Sequence, residues 1–118
     1  MKHSFAKGFR ELIAWQEAKK LAIKVYEITR KFPKEELFGI VSQLRRASSS
    51  VMANLAEGSA MPTKAHRDSF YVRARGSATE VDNFCELSFE LKFISKEEFE
   101  DLCDHCRRVI YLVTRLMH

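Results

Sequence analysis

At 118 residues the chain is long enough for one domain with a modest core. Its 46% apolar and 31% charged residues exclude a disordered or membrane composition, and no apolar run nears the roughly 18–20 residues that cross a bilayer. The net charge of +4 is uneven: residues 1–31 carry eight Lys/Arg against three Glu, residues 32–94 balance at eight of each sign, and residues 95–118 come to −1. That first-segment excess permits a polyanionic partner without demanding one, and a solvated helix face is the more economical account of it taken alone.

Four glycines, two prolines and no β-branched alternation lead us to expect an all-α chain. The first helix is expected over about 9–32, with Phe9, Leu12, Ile13, Leu21, Val25, Ile28 and Phe32 recurring at three- and four-residue steps until Pro33. The second is expected over about 35–57, ending at Gly58 as a C′ residue able to take positive φ. Gly39 within it costs about 1 kcal/mol relative to alanine, through a close helix contact or a frayed first turn.

Thr63 is a candidate N-cap for a third helix over about 64–93, with Phe70, Ala74, Ser77, Val81, Phe84 and Leu91 as its core positions. The fourth, about 96–117, opens on the capping box Ser95-Lys-Glu-Glu98 and buries Phe99, Leu102, Cys103, Cys106, Val109, Ile110, Val113 and Leu116. Four similar helices joined by short turns favour an antiparallel up-down-up-down four-helix bundle in a single domain.

The second helix carries more than one stripe. Leu37, Ile40, Val41, Leu44, Ser48, Val51 and Leu55 share the core arc, and Gln43, Arg46, Ser50, Asn54 and Glu57 fall on a polar arc beside it. Ser42, Arg45, Ser49, Ala53 and Ala56 make a third, mostly small sector. Only three charges lie between Leu37 and Glu57, too few for the outer face of a small bundle. The third helix answers with Arg73, Ser77 and Glu80, and Gly76 beside them permits a close approach. Arg46 with Glu80, and Glu57 with Arg73 or Arg75, are charge-complementary pairs. The polar arc therefore reads as a subunit interface, an internal network of one monomer, or a catalytic site. With no His or Cys in either stripe, the interface is the strongest of the three.

These residues also carry a resemblance. Trp15-Gln-Glu-Ala18, Tyr26, Phe32-Pro-Lys-Glu-Glu36, Gln43-Leu-Arg-Arg-Ala47, Asn54-Leu-Ala-Glu-Gly58 and Ala74-Arg-Gly-Ser-Ala-Thr-Glu80 follow one another in that order. The pattern resembles the four-helix-bundle proteins encoded in 23S ribosomal RNA intervening sequences. That family is also similar to the accessory protein of diversity-generating retroelements, a basic pentameric bundle associated with nucleic acid. The resemblance implies a bacterial cytosolic homopentamer around a central channel, with no enzymatic activity. Gln43, Arg46, Ser50, Asn54, Glu57, Ser77 and Glu80 match the family's polar signature. After Gly58, where the family often has a basic residue, this chain has Ser59-Ala-Met-Pro62; Lys64 and Arg67 follow a turn later.

Other constellations are weaker. Cys103-Asp-His-Cys106, with Cys85, suggests a metal, but both thiols share the apolar stripe and His105 points away, so small buried thiols are expected. His3, His66 and His118 are isolated, and Trp15 reads as a packing anchor. No catalytic triad, P-loop or dinucleotide fingerprint is present. Three cysteines at unrelated spacings make no disulfide framework, and MKHSFAKGFRELIAW lacks a signal peptide's apolar stretch, so a cytoplasmic location is expected. We expect neither cofactor nor metal nor membrane.

The candidate nucleic-acid contacts are Lys19, Lys20, Lys24, Arg45, Arg75, Arg107 and Arg108, with Arg73 as a further candidate. The functional expectation is a non-enzymatic homo-oligomer associated with RNA or DNA. A scaffold for a protein partner is the alternative.

Overall fold

The computed structural model describes residues 8–118; His3 and the cations Lys2 and Lys7 lie outside the described residues. Four α-helices carry the fold: α1 (Ile13–Thr29), α2 (Ser42–Ser59), α3 (Lys64–Glu90) and α4 (Lys96–Leu116). Each packs on the two that neighbour it around the bundle, α2 against α3 most extensively. The up-down-up-down arrangement expected from the short turns is thus met. Leu21, Val25, Val51, Leu55, Val81, Val109 and Val113 fill the axis. Among the described residues, no helix is long and apolar enough to cross a membrane.

Two helix starts differ from expectation. Phe9–Glu11 forms a 3₁₀ turn, and Leu12 is extended (φ −70°, ψ 124°), so α1 begins only at Ile13. Ile13 is exposed, while the ring of Phe9 packs edge-on to Trp15 at 5.0 Å. Beyond Pro33 the chain makes a 3₁₀ turn at Lys34–Glu36 and a wide turn at Leu37–Val41, kinked at Gly39 (φ −111°, ψ −113°). Regular helix starts at Ser42. Of the two readings of Gly39, the frayed first turn is nearer: the glycine sits where the chain leaves helical geometry. The kink turns Ile40 and Val41 inward and leaves Leu37, an expected core residue, half exposed.

Gly58 does not end α2 as expected. It is helical and buried, and the helix continues to Ser59. A Cβ there would lie 2.8 Å from Cε1 of Tyr71 and 2.9 Å from Cβ of Phe70, so this glycine is required by the close approach of α2 and α3. The α3 core is also rotated from the expected one. Tyr71, Ala74, Ala78, Val81, Cys85 and Ser88 are buried, whereas Phe70, Ser77 and Phe84 sit at its edges and Leu91 is exposed. Small residues line the inner face because α2 lies so near.

The caps behave as expected. Thr63 Oγ1 accepts from the His66 amide, and Ser95 and Glu98 form the reciprocal capping box. α3 ends in a Schellman motif, with Phe93 N–H donating to Ser88 O (2.9 Å) and Lys92 N–H to Phe89 O (2.9 Å). Lys92 holds the left-handed position at φ 66°. The buried hydroxyls of Thr29, Ser48 and Ser88 each donate to a carbonyl one turn back.

Two substitutions should therefore move stability in opposite directions. Gly58→Ala forces a methyl into the Tyr71 ring and should cost about 1–3 kcal/mol in chemical denaturation. Lys92→Gly removes a left-handed side chain and should gain up to about 1 kcal/mol. Equal effects, or a neutral Gly58→Ala, would contradict the packing described.

Candidate functional site

The close α2–α3 seam sorts the polar arc into two layers. The inner layer is half-buried: Ser77 Oγ donates to Ser50 Oγ (3.0 Å), and Asn54 Nδ2 donates to both the Ser50 carbonyl (2.9 Å) and Ser50 Oγ (3.0 Å). Gln43 Oε1 accepts from Arg46 at 2.6 Å. The outer layer is charged and exposed: Arg46 and Glu57 from α2, Arg73 and Glu80 from α3. Among the described residues, neither Arg46 with Glu80 nor Glu57 with Arg73 or Arg75 forms an ion pair within the chain. Arg73 lies instead over the ring of Phe70 (4.9 Å), and Arg75 turns to the other side of α3 and donates to Thr114 Oγ1 (3.3 Å). Outside this face α2 exposes Ser42, Ser49 and Ala53, and Gly76 of α3 has open space at its Cα.

The α1–α4 face gathers most of the sequence-predicted cations, but with carboxylates among them. Lys20 pairs with Glu17 (3.2 Å), Lys24 with Asp101 (2.8 Å), and Arg108 with Glu17 (3.3 Å); Arg107 stands 4.0 Å from Asp104. Lys19 lies over the Trp15 indole at 5.3 Å. The Lys20 and Arg107 pairs are local to one helix, whereas those of Lys24 and Arg108 form only when α4 meets α1, which one wheel could not reveal. Arg45 stands apart, held by Thr29 Oγ1 (2.9 Å) and the Tyr26 carbonyl (3.3 Å). After the departure from the family pattern, Arg67 donates to the Met61 carbonyl (3.1 Å), and Lys64 to Asp68 and the Met117 carbonyl.

His105, missed as a site residue by sequence reasoning, sits within this face. Lys24 has only protons to give, so it donates to His105 Nδ1 (3.1 Å), and Nε2–H donates to the Glu17 carbonyl (3.0 Å). Burial first, then the Lys24 ammonium, holds its pKa below the ordinary histidine value, against the pull of Glu17. For Glu17, burial acts to raise the pKa, but the bond from Lys20 and the charges of Lys20, Arg108 and His105 together bring it below the usual carboxylate range.

The three thiols are free and buried. Burial and a bond to Asp82 push Cys103 up to about 12, and the contact with Cys85 together with burial pushes Cys106 higher. Cys103 and Cys106 therefore stay protonated at neutral pH, which suits packing and not nucleophilic attack. Among the described residues, no group of three or more His, Cys, Asp or Glu is placed to hold a metal ion.

Residues 10–115 match the family model described as 23S rRNA-intervening sequence protein. A crystal structure of a protein of unknown function from the S23 ribosomal protein family of Bacteroides thetaiotaomicron is 18% identical, with a TM-score of 0.82. The likeness covers 89% of this chain and 95% of that one, and at this identity it speaks to the fold alone. No curated protein matches the chain.

The His105 geometry predicts acid sensitivity. With its folded pKa below the unfolded value of about 6.5, the unfolded chain binds more protons as pH falls through that value, so stability drops there. Glu17 contributes stability above the carboxylate range that is lost only at lower pH, as its depressed pKa is reached. Urea midpoints should fall between about pH 7 and about pH 5.5, and His105→Gln should flatten that fall. An unchanged slope in the variant would contradict the assignment.

Proposed function

The chain belongs to the 23S rRNA-intervening sequence protein family, and from that premise we propose that it is a non-catalytic bundle assembling with copies of itself through the α2–α3 face. The observation that carries this reading is the outer layer of that face. Arg46, Glu57, Arg73 and Glu80 stand exposed, of both signs, and without an ion-pair partner among the described residues. The small residues beside them allow a second backbone to approach, and a second copy brings the complementary charges. A homopentamer is the assembly that the resemblance implies.

Association with RNA is a second reading. Arg45 favours it, a guanidinium held by neutral oxygens with donors to spare. The cations of the α1–α4 face favour it less, since Lys20, Lys24, Arg107 and Arg108 already face carboxylates. A protein scaffold without nucleic acid is the alternative if no binding is found.

Arg46→Glu should weaken assembly by about 2–5 kcal/mol per broken contact, releasing monomers that keep their helical circular dichroism. Adding Glu80→Arg should restore assembly. Light scattering across micromolar concentrations reads both outcomes, and a wild-type monomer throughout that range would contradict the proposal.

A further inference from the structure

The corner where α1 meets α2 presents a surface unlike the rest of the molecule. Phe38 is 93% exposed, in a turn anchored by the buried Ile40 and Val41. Leu37 and Tyr26 beside it are about half exposed, at 49% and 42%. Two adjoining grooves, of about 380 and 450 Å³, share Leu37, Val41 and Arg45. Arg46 closes the rim of one, and Arg30 and Lys34 line the other.

Among the described residues no carboxylate lines either groove; Glu27, Glu35 and Glu36, near in the chain, are absent from both. The groove between α3 and α4 is the opposite, with Asp82, Glu86, Glu100 and Asp104 along it. Arg30, Lys34 and Arg45 have no ion-pair partner among the described residues, in contrast to the cations of the α1–α4 face. Arg45 is also fixed in place, its guanidinium 4.8 Å from the Tyr26 ring centre and two of its five N–H groups engaged.

We propose that this corner binds single-stranded nucleic acid, with Phe38 stacking on an unpaired base and Arg30, Lys34 and Arg45 contacting its phosphates. The proposal rests on the RNA reading above and gives it a site. A free aromatic face beside unneutralised cations is what a flexible strand requires. A duplex keeps its bases stacked, and a ring reaches them only by unstacking a step, at a cost of a few kcal/mol.

The test uses the full chain and a fluorescently labelled twelve-nucleotide oligouridine, with a duplex of equal length beside it, read by anisotropy across a salt series. Single strands should bind more tightly than duplex. Phe38→Ala should weaken binding about tenfold with the salt slope kept, and Phe38→Trp should retain it. Arg30→Ala with Lys34→Ala should lower the slope of log K against log salt by about 1.4. All these variants leave the core and the outer layer of the α2–α3 face untouched, so circular dichroism and assembly should not change.

Binding that survives both Phe38→Ala and the Arg30→Ala, Lys34→Ala pair overturns this site while leaving the RNA reading in place. No binding even at low salt defeats that reading itself. Dispersal of the assembly by Phe38→Ala would mark the corner as a protein contact and overturn the proposal.

Discussion

A hydrogen on the α-carbon of Gly58 is what the side chains of Phe70 and Tyr71 leave room for, and the distance that this sets between α2 and α3 governs much else. At such a separation the inner face of α3 accepts Ala74, Ala78, Cys85 and Ser88 but not phenylalanine. The same closeness brings Ser50 and Ser77 within hydrogen-bond reach, with Asn54 completing the link. A half-buried polar seam of this kind fixes the register of two helices, because each donor there needs its partner. It also leaves no depth for Arg46, Glu57, Arg73 and Glu80, which are turned outward.

Charge then divides the surface by face. The α1–α4 face pairs bases with acids, with His105 bridging Lys24 and the Glu17 carbonyl. The α3–α4 groove is acidic, and the α1–α2 corner is basic and aromatic. The outer α2–α3 layer carries both signs, with no ion pair between them among the described residues. Exposed ion pairs such as those of α1 and α4 contribute little to stability. Unpaired opposite charges beside small residues are better suited to meeting another copy of the chain.

Much of the fold was legible in the sequence because its signals are local. Pro33, Thr63 and the Ser95–Glu98 box mark ends through their own backbone chemistry, and α4 declares its inner face by strict apolar periodicity. The rest depended on neighbours. Ala74 and Val81 fit either of two α3 faces, and the large Phe70 and Phe84 drew the expected face toward themselves. Only the proximity of α2 selects the smaller residues. Gly58 could end a helix or admit a neighbour, and the sequence cannot choose between these. The same limit held for the site: spacing placed Gln43, Ser50, Asn54 and Ser77 on facing stripes, but the pairing of Lys24 and Arg108 needed α4 in place beside α1.

The central claim is that the outer face of α2 is covered by another copy of the chain. Thiol reactivity tests it most directly, because Cys85, Cys103 and Cys106 are all buried. A cysteine placed by Ser49→Cys should be alkylated rapidly in dilute protein and become protected as concentration rises, whereas Asp104→Cys on α4 should remain reactive throughout. Equal reactivity of the two positions at every concentration would contradict the account.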